Sequence, residues 1–81
     1  MEEKIRTILA GVLEVAAGEI GEGFGPQSCQ NWDSLANLRL ITALEREFAT
    51  RFTWEEISAM TDFARIRDVI ARRQAPAGGG R

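Results

Sequence analysis

The stretch Asn31-Trp32-Asp33-Ser34-Leu35-Ala36-Asn37-Leu38-Arg39-Leu40-Ile41 decides how this chain is read. Asp33 and Ser34 are residues that open helices, because either side chain accepts bonds from the otherwise unpaired amides of a first turn. Behind them the apolar residues recur at helical spacing. A helix is predicted from about Ser34 to Ala49, with Leu35, Leu38, Ile41, Leu44 and Phe48 on its apolar stripe. Ser34 therefore has two readings, as a helix cap or as a hydroxyl placed for chemistry. A phosphate attached at a helix N-terminus would meet exposed amides and the positive end of the helix dipole, so covalent modification is permitted there and not demanded.

Upstream of this stretch, Ile5, Ile8, Leu9, Val12, Leu13 and Ala16 mark an amphipathic helix that Gly18 is expected to end. Gly18 to Trp32 then reads "GEIGEGFGPQSCQNW", with four glycines and a proline. That is a long loop, and loops of such length in small domains are usually functional or disordered. Downstream, a short connection, "TRFT", leads into Thr53-x-x-Glu56, the spacing of a capping box, which opens a short helix carrying Trp54, Ile57 and Met60. Thr61 or Asp62 starts the last helix, whose buried side is marked by Phe63, Ile66, Val69 and Ile70. Residues 75–81 lack apolar periodicity and are expected to be a disordered tail on a domain spanning 1–74. No segment alternates like a strand and none repeats. The predicted architecture is all-α, a small four-helix bundle of three main helices and one short one.

Composition narrows the function. Eighty-one residues suffice for one small domain, and 44% apolar with 27% charged residues suits a folded globular chain. No apolar run approaches the roughly 18 residues of a membrane span, and the start "MEEK" is acidic where a secretory signal is basic. A cytoplasmic protein without membrane association is expected. Cys29 is the only cysteine, which precludes an intramolecular disulfide and fits a reducing compartment. With no histidine either, a metal site is not expected. Twelve acidic residues against ten basic give a net charge of −2, the wrong balance for a nucleic-acid binder. Nine of the ten basic residues are arginine, which reads as the compositional bias of the source.

The candidate chemical motifs weaken on inspection. "GEGFGP" has Pro26 where a dinucleotide-binding loop needs glycine, lacks the preceding strand, and is followed by no Gly-Lys-Ser/Thr. As a nucleophile Ser34 would need a base, and the chain offers only Lys4 or carboxylates. Nothing basic near Cys29 would generate a thiolate, so it reads as a loosely packed loop cysteine. Glu45, Glu47, Glu55 and Glu56 are interrupted by Arg46 and Arg51 and read as a solvated face. The chain is not expected to be an enzyme by itself.

Taken together, Asp33-Ser34-Leu35, the segment Ala43 to Phe48, the connection Ala49 to Thr53, the acidic short helix Trp54 to Met60 and the closing helix Thr61 to Ile70 resemble the acyl carrier protein family, including the related peptidyl carriers. The resemblance extends from Glu2 to Arg73, and its specificity lies in this succession, since Asp-Ser-Leu alone is common. It implies that Ser34 receives 4′-phosphopantetheine from coenzyme A through a separate phosphopantetheinyl transferase. The arm's thiol would then hold an acyl, aminoacyl or polyketide unit as a thioester for acyl-loading and acyl-processing enzymes. Within that resemblance Asp33 orients the serine, while Leu35, Leu38, Arg39, Thr42 and Trp32 contact partner enzymes. Ile41, Leu44, Phe48, Met60 and Ile66 would line an interior pocket for the cargo, and the carrier would work as a monomer.

Two features set the chain apart within that resemblance. Carriers of fatty-acid synthesis commonly have acidic residues two and five positions after the serine, where Ala36 and Arg39 stand here. Trp32 is expected either as an apolar lid on the bundle or as a partner-facing anchor, and Trp-Asp-Ser-Leu resembles discrete carriers of specialised pathways. The initial Met directly before the first helix suggests a free-standing carrier, whereas "APAGGG" would equally suit a linker cut from a larger synthase. The reading from another class is a non-catalytic helical interaction module in which Ser34 is only a cap.

Overall fold

The computed structural model describes residues 2–74; the tail expected at 75–81 lies outside the described residues. Four helices follow one another, α1 (Glu2–Leu13), α2 (Ser34–Glu47), α3 (Trp54–Ala59) and α4 (Phe63–Gln74), and no strand occurs among the described residues. The protein is thus an all-helical bundle. None of its described helices is long and apolar enough to cross a membrane.

One core joins all four helices and the long connection. Ile5, Leu9 and Leu13 of α1 meet Ala36, Leu40, Ile41 and Leu44 of α2, Met60 after α3, and Phe63, Ile66, Val69 and Ile70 of α4. Spacings of three and four residues keep each of the α1 and α4 sets on one side of its helix. In α2 the predicted stripe is corrected: Ile41 and Leu44 are buried and Phe48 packs against the core, but Leu35 and Leu38 are 58% and 61% exposed. Each three-residue step falls about 60° short of a full turn, so the row 35, 38, 41, 44 winds halfway around the helix. Leu40, outside that row, is fully buried instead.

The helix ends are also set by backbone chemistry that the glycines did not reveal. α1 stops at Leu13, short of Gly18, because Glu14 takes the left-handed conformation (φ 61°) and the Val15 amide donates to the Ala10 carbonyl at 3.2 Å. α2 closes in the same way, with Ala49 at φ 51° and the Thr50 amide donating to the Glu45 carbonyl at 3.1 Å. Both are Schellman-type stops built on residues other than glycine.

The connection from α1 to α2 is folded rather than loose. It holds two 3-10 turns, Ala17–Glu19 and Pro26–Ser28, and buries Ile20, Phe24, Cys29 and Trp32. Cys29, expected to be loosely packed, is 8% exposed and belongs to the core. The connection is pinned to α1 by Arg6, whose Nε donates to the Ile20 carbonyl at 3.0 Å, and to α4 by the Phe63 amide donating to the Phe24 carbonyl at 2.9 Å. At Gly25 a Cβ would come within 3.2 Å of Asp62 Cβ, so the absence of a side chain lets the connection lie against the start of α4.

Candidate functional site

Four consecutive residues build the entrance to α2, each with a different task. Asn31 Nδ2 donates to the Leu13 carbonyl at 2.8 Å, satisfying one of the orphan acceptors at the end of α1. Trp32 is buried at 6% exposure, its ring tilted against Phe24 at 5.9 Å between centroids and its Nε1 donating to Asn37 Oδ1 at 3.1 Å. Of its two expected placements, Trp32 has that of a residue packed onto the bundle. Its burial removes it from the exposed residues available to a partner.

Asp33 caps the helix: its Oδ1 accepts from the Ala36 amide at 2.9 Å and its carbonyl accepts from Asn37. Ser34 is therefore the first helical residue and not the cap, and its side chain is exposed. Among the described residues its hydroxyl has no hydrogen-bond partner, while the carboxylate beside it already complements the positive helix end. The serine is left free on the lining of a groove.

That groove, of about 490 Å³, runs between the start of α2 and α3. Pro26, Trp32, Asp33, Ser34 and Asn37 form one wall, and Trp54, Ile57, Ser58, Met60 and Thr61 form the other. A lining that mixes apolar side chains with a few hydroxyl and amide groups is the usual make-up of a small-molecule site. Trp54, grouped in sequence with Ile57 and Met60, is 77% exposed. Its position at the first residue of α3 puts it outside the core, and it overhangs the groove instead.

The wall holding Trp54 is anchored from two directions. Thr53 and Glu56 form the expected capping box, with the Glu56 amide donating to Thr53 Oγ1 at 3.1 Å and the Thr53 amide donating to Glu56 Oε1 at 2.8 Å. The same carboxylate accepts from Arg73 Nε at 2.9 Å, tying α3 to α4. The Arg73 hydrogen bonds, with that from Thr53, pull the Glu56 carboxyl from its ordinary 4.5 down to about 2. α4 is capped by Asp62, whose Oδ1 accepts from the Arg65 amide at 2.9 Å.

The five residues expected to line an interior pocket are not brought to one cavity. Met60 lines the Ser34 groove; Ile41, Leu44 and Ile66 lie in the closed core; Phe48 borders a separate depression with Lys4, Glu47, Ala49 and Gln74. Leu35, Leu38, Arg39 and Thr42, by contrast, are all exposed on the outer side of α2. Pro26, Asn37, Trp54, Ile57, Ser58 and Thr61 were not singled out as site residues from the sequence, because the groove exists only once α3, tied to α4 by Glu56 and Arg73, faces the start of α2 across it. Comparison with known proteins adds no family: no protein-family model matches the chain, and no curated protein matches it.

Proposed function

We propose that the chain is a carrier protein whose Ser34 is modified with 4′-phosphopantetheine. The observation that carries this reading is the division of labour at α2, where Asp33 holds the helix and leaves the Ser34 hydroxyl exposed and uncommitted. The residues fit the group. A phosphate on Ser34 Oγ would sit at the first turn of α2, beside amides that point out of the helix end. The groove next to it supplies apolar surface from Trp32, Trp54, Ile57 and Met60, and hydroxyls from Ser58 and Thr61, along which an extended amide-containing arm can lie.

When bound, the arm supplies a thiol that holds an acyl, aminoacyl or polyketide unit as a thioester. The protein's own residues do three things. Asp33 fixes the first turn so that Ser34 faces solvent, where a phosphopantetheinyl transferase can reach it. Trp32, held by Asn37, fixes the groove wall next to Ser34. Leu35, Leu38, Arg39 and Thr42 offer the exposed surface beside Ser34 to visiting enzymes. Such visits are brief, which suits a small interface. We propose further that it works as a discrete monomeric carrier in the cytoplasm and performs no catalysis of its own, the chemistry belonging to its partners.

The resemblance of the Asp33 to Ile70 succession to acyl carriers supports the same reading. The interaction-module alternative assigned Ser34 to capping, a task that Asp33 performs. Incubation with coenzyme A and a broad-specificity phosphopantetheinyl transferase, followed by intact mass and peptide mapping, tests the proposal. One phosphopantetheine on Ser34, absent from Ser34→Ala, is expected. A folded chain left bare by several transferases would sink the carrier reading.

A further inference from the structure

The outer face of α2 is basic within an acidic protein. Taking 100° per residue, Leu35, Leu38, Arg39, Thr42 and Arg46 fall within an arc of about 100° on the helix. All five are exposed, and Leu35 and Leu38 are two of the three large apolar side chains that stand out among the described residues. No carboxylate shares the arc. The two acidic residues of α2 are engaged elsewhere: Glu45 Oε2 accepts from the Phe52 amide at 2.9 Å, and Glu47 pairs with Lys4 at 3.4 Å.

The arginines of this face differ from most of the protein's other cations. Arg6 pairs with Glu2, Arg65 with Asp62, Arg67 with Glu22 and Arg73 with Glu56. Arg39 and Arg46 have no carboxylate partner among the described residues, although the chain carries more acid than base. They stand seven residues apart, two turns along the face, with Thr42 between them and both leucines at its N-terminal end beside Ser34.

We infer that this face docks on an acidic protein surface, one that presents carboxylates to Arg39 and Arg46 around apolar hollows that receive Leu35 and Leu38. Guanidinium groups favour that partner because their planar donor forks match carboxylates two bonds at a time. Long-range attraction speeds the encounter and the leucines fix its register. A lipid surface is the weaker match, since two cations and two leucines on a protein of net charge −2 give little membrane affinity. The inference rests on the carrier reading for why a partner comes to this side of α2.

Site-specific photo-crosslinking in the cells that make the protein tests it, with Thr42→p-benzoylphenylalanine in the full chain. The same samples are scored separately for phosphopantetheine on Ser34. A protein adduct is expected whose crosslinked peptide is rich in Asp and Glu, and which persists when Ser34→Ala is added. The captured protein, purified, should bind the chain less tightly as salt rises, and R39E/R46E should lower its affinity at least about tenfold, while R39K/R46K, which keeps the charge and loses the fork, should lower it by less than R39E/R46E does. These residues are exposed, so the thermal melt reports whether each variant remains folded. An adduct formed equally by R39E/R46E, no protein adduct, or retention on phosphatidylglycerol vesicles in place of a protein would overturn the inference. Charge-dependent docking with Ser34 bare in cells would leave it standing and remove the carrier reading.

Discussion

Helices α2 and α4 contain similar apolar side chains and place them differently. In α4, Phe63, Ile66, Val69 and Ile70 are all buried, so its large apolar residues are accounted for by the core. In α2, Ala36, Leu40, Ile41 and Leu44 are buried while Leu35 and Leu38 face solvent. Leaving a leucine in water forgoes about 1.5–3 kcal/mol of burial, so two such residues on one helix are surplus to folding. One side of α2 belongs to the bundle, and the other, with Ser34 at its head, is free for partners.

The largest effect should separate the two sides of α2. Leu44→Ala or Leu40→Ala, each removing a fully buried side chain, should lower stability by about 2–5 kcal/mol in urea unfolding, as should Ile70→Ala in α4. Leu38→Ala should stay within about 0.5 kcal/mol of the parent. A loss at Leu38 as large as that at Leu44 would remove the distinction between the faces.

At the head of α2 the same contrast narrows to neighbouring residues. Asp33→Ala should lose about 1 kcal/mol through the missing cap, whereas Ser34→Ala should change stability by less than about 0.5 kcal/mol, both read by thermal melting. Equal losses at the two positions would return the cap to Ser34.

The tether between α3 and α4 should respond to pH. The carboxyl of Glu56 titrates at about 2 in the folded protein and near its ordinary 4.5 when unfolded, so its contribution is present above 4.5 and disappears as pH falls toward 2. Glu56→Gln keeps an acceptor for the capping box and should flatten the fall in stability over that window. Urea midpoints at the two ends of the window check it; an unchanged slope would show that the Arg73 pairing does not stabilise the fold.

The smallest effect lies at the helix ends, where α1 and α2 both stop on a left-handed residue. Ala49→Gly and Glu14→Gly should each raise stability by about 0.5–1 kcal/mol, seen as a higher melting temperature. A decrease at both would argue against the left-handed stops.

The contrast between α4 and α2 also explains what could be read from the residues alone. Ile70, four residues after Ile66, brings the row Phe63, Ile66, Val69 back toward its start, so the four stay within about 120° of one side and their burial was legible. The row Leu35, Leu38, Ile41, Leu44 advances only by threes and leaves the core side, which an apolar count does not reveal. Burial of Ile20, Phe24, Cys29 and Phe52 depends on long-range anchors such as the Phe24–Phe63 backbone bond, and no local pattern announces those. At the site, a helix start at Asp33-Ser34 was legible, but which of two competent side chains caps it is a matter of backbone geometry. The far wall of the groove, with Trp54, Ser58 and Thr61, comes from the docking of a six-residue helix.

The most direct measurement of the central claim is tandem mass spectrometry of the chain purified from its own cells. The tryptic peptide Thr7–Arg39 also contains Ser28, so fragment ions must locate any modification. The account predicts one phosphopantetheine, free or acylated at its thiol, on Ser34 and none on Ser28. A peptide wholly unmodified at Ser34, in cells shown to modify other carriers, would contradict it.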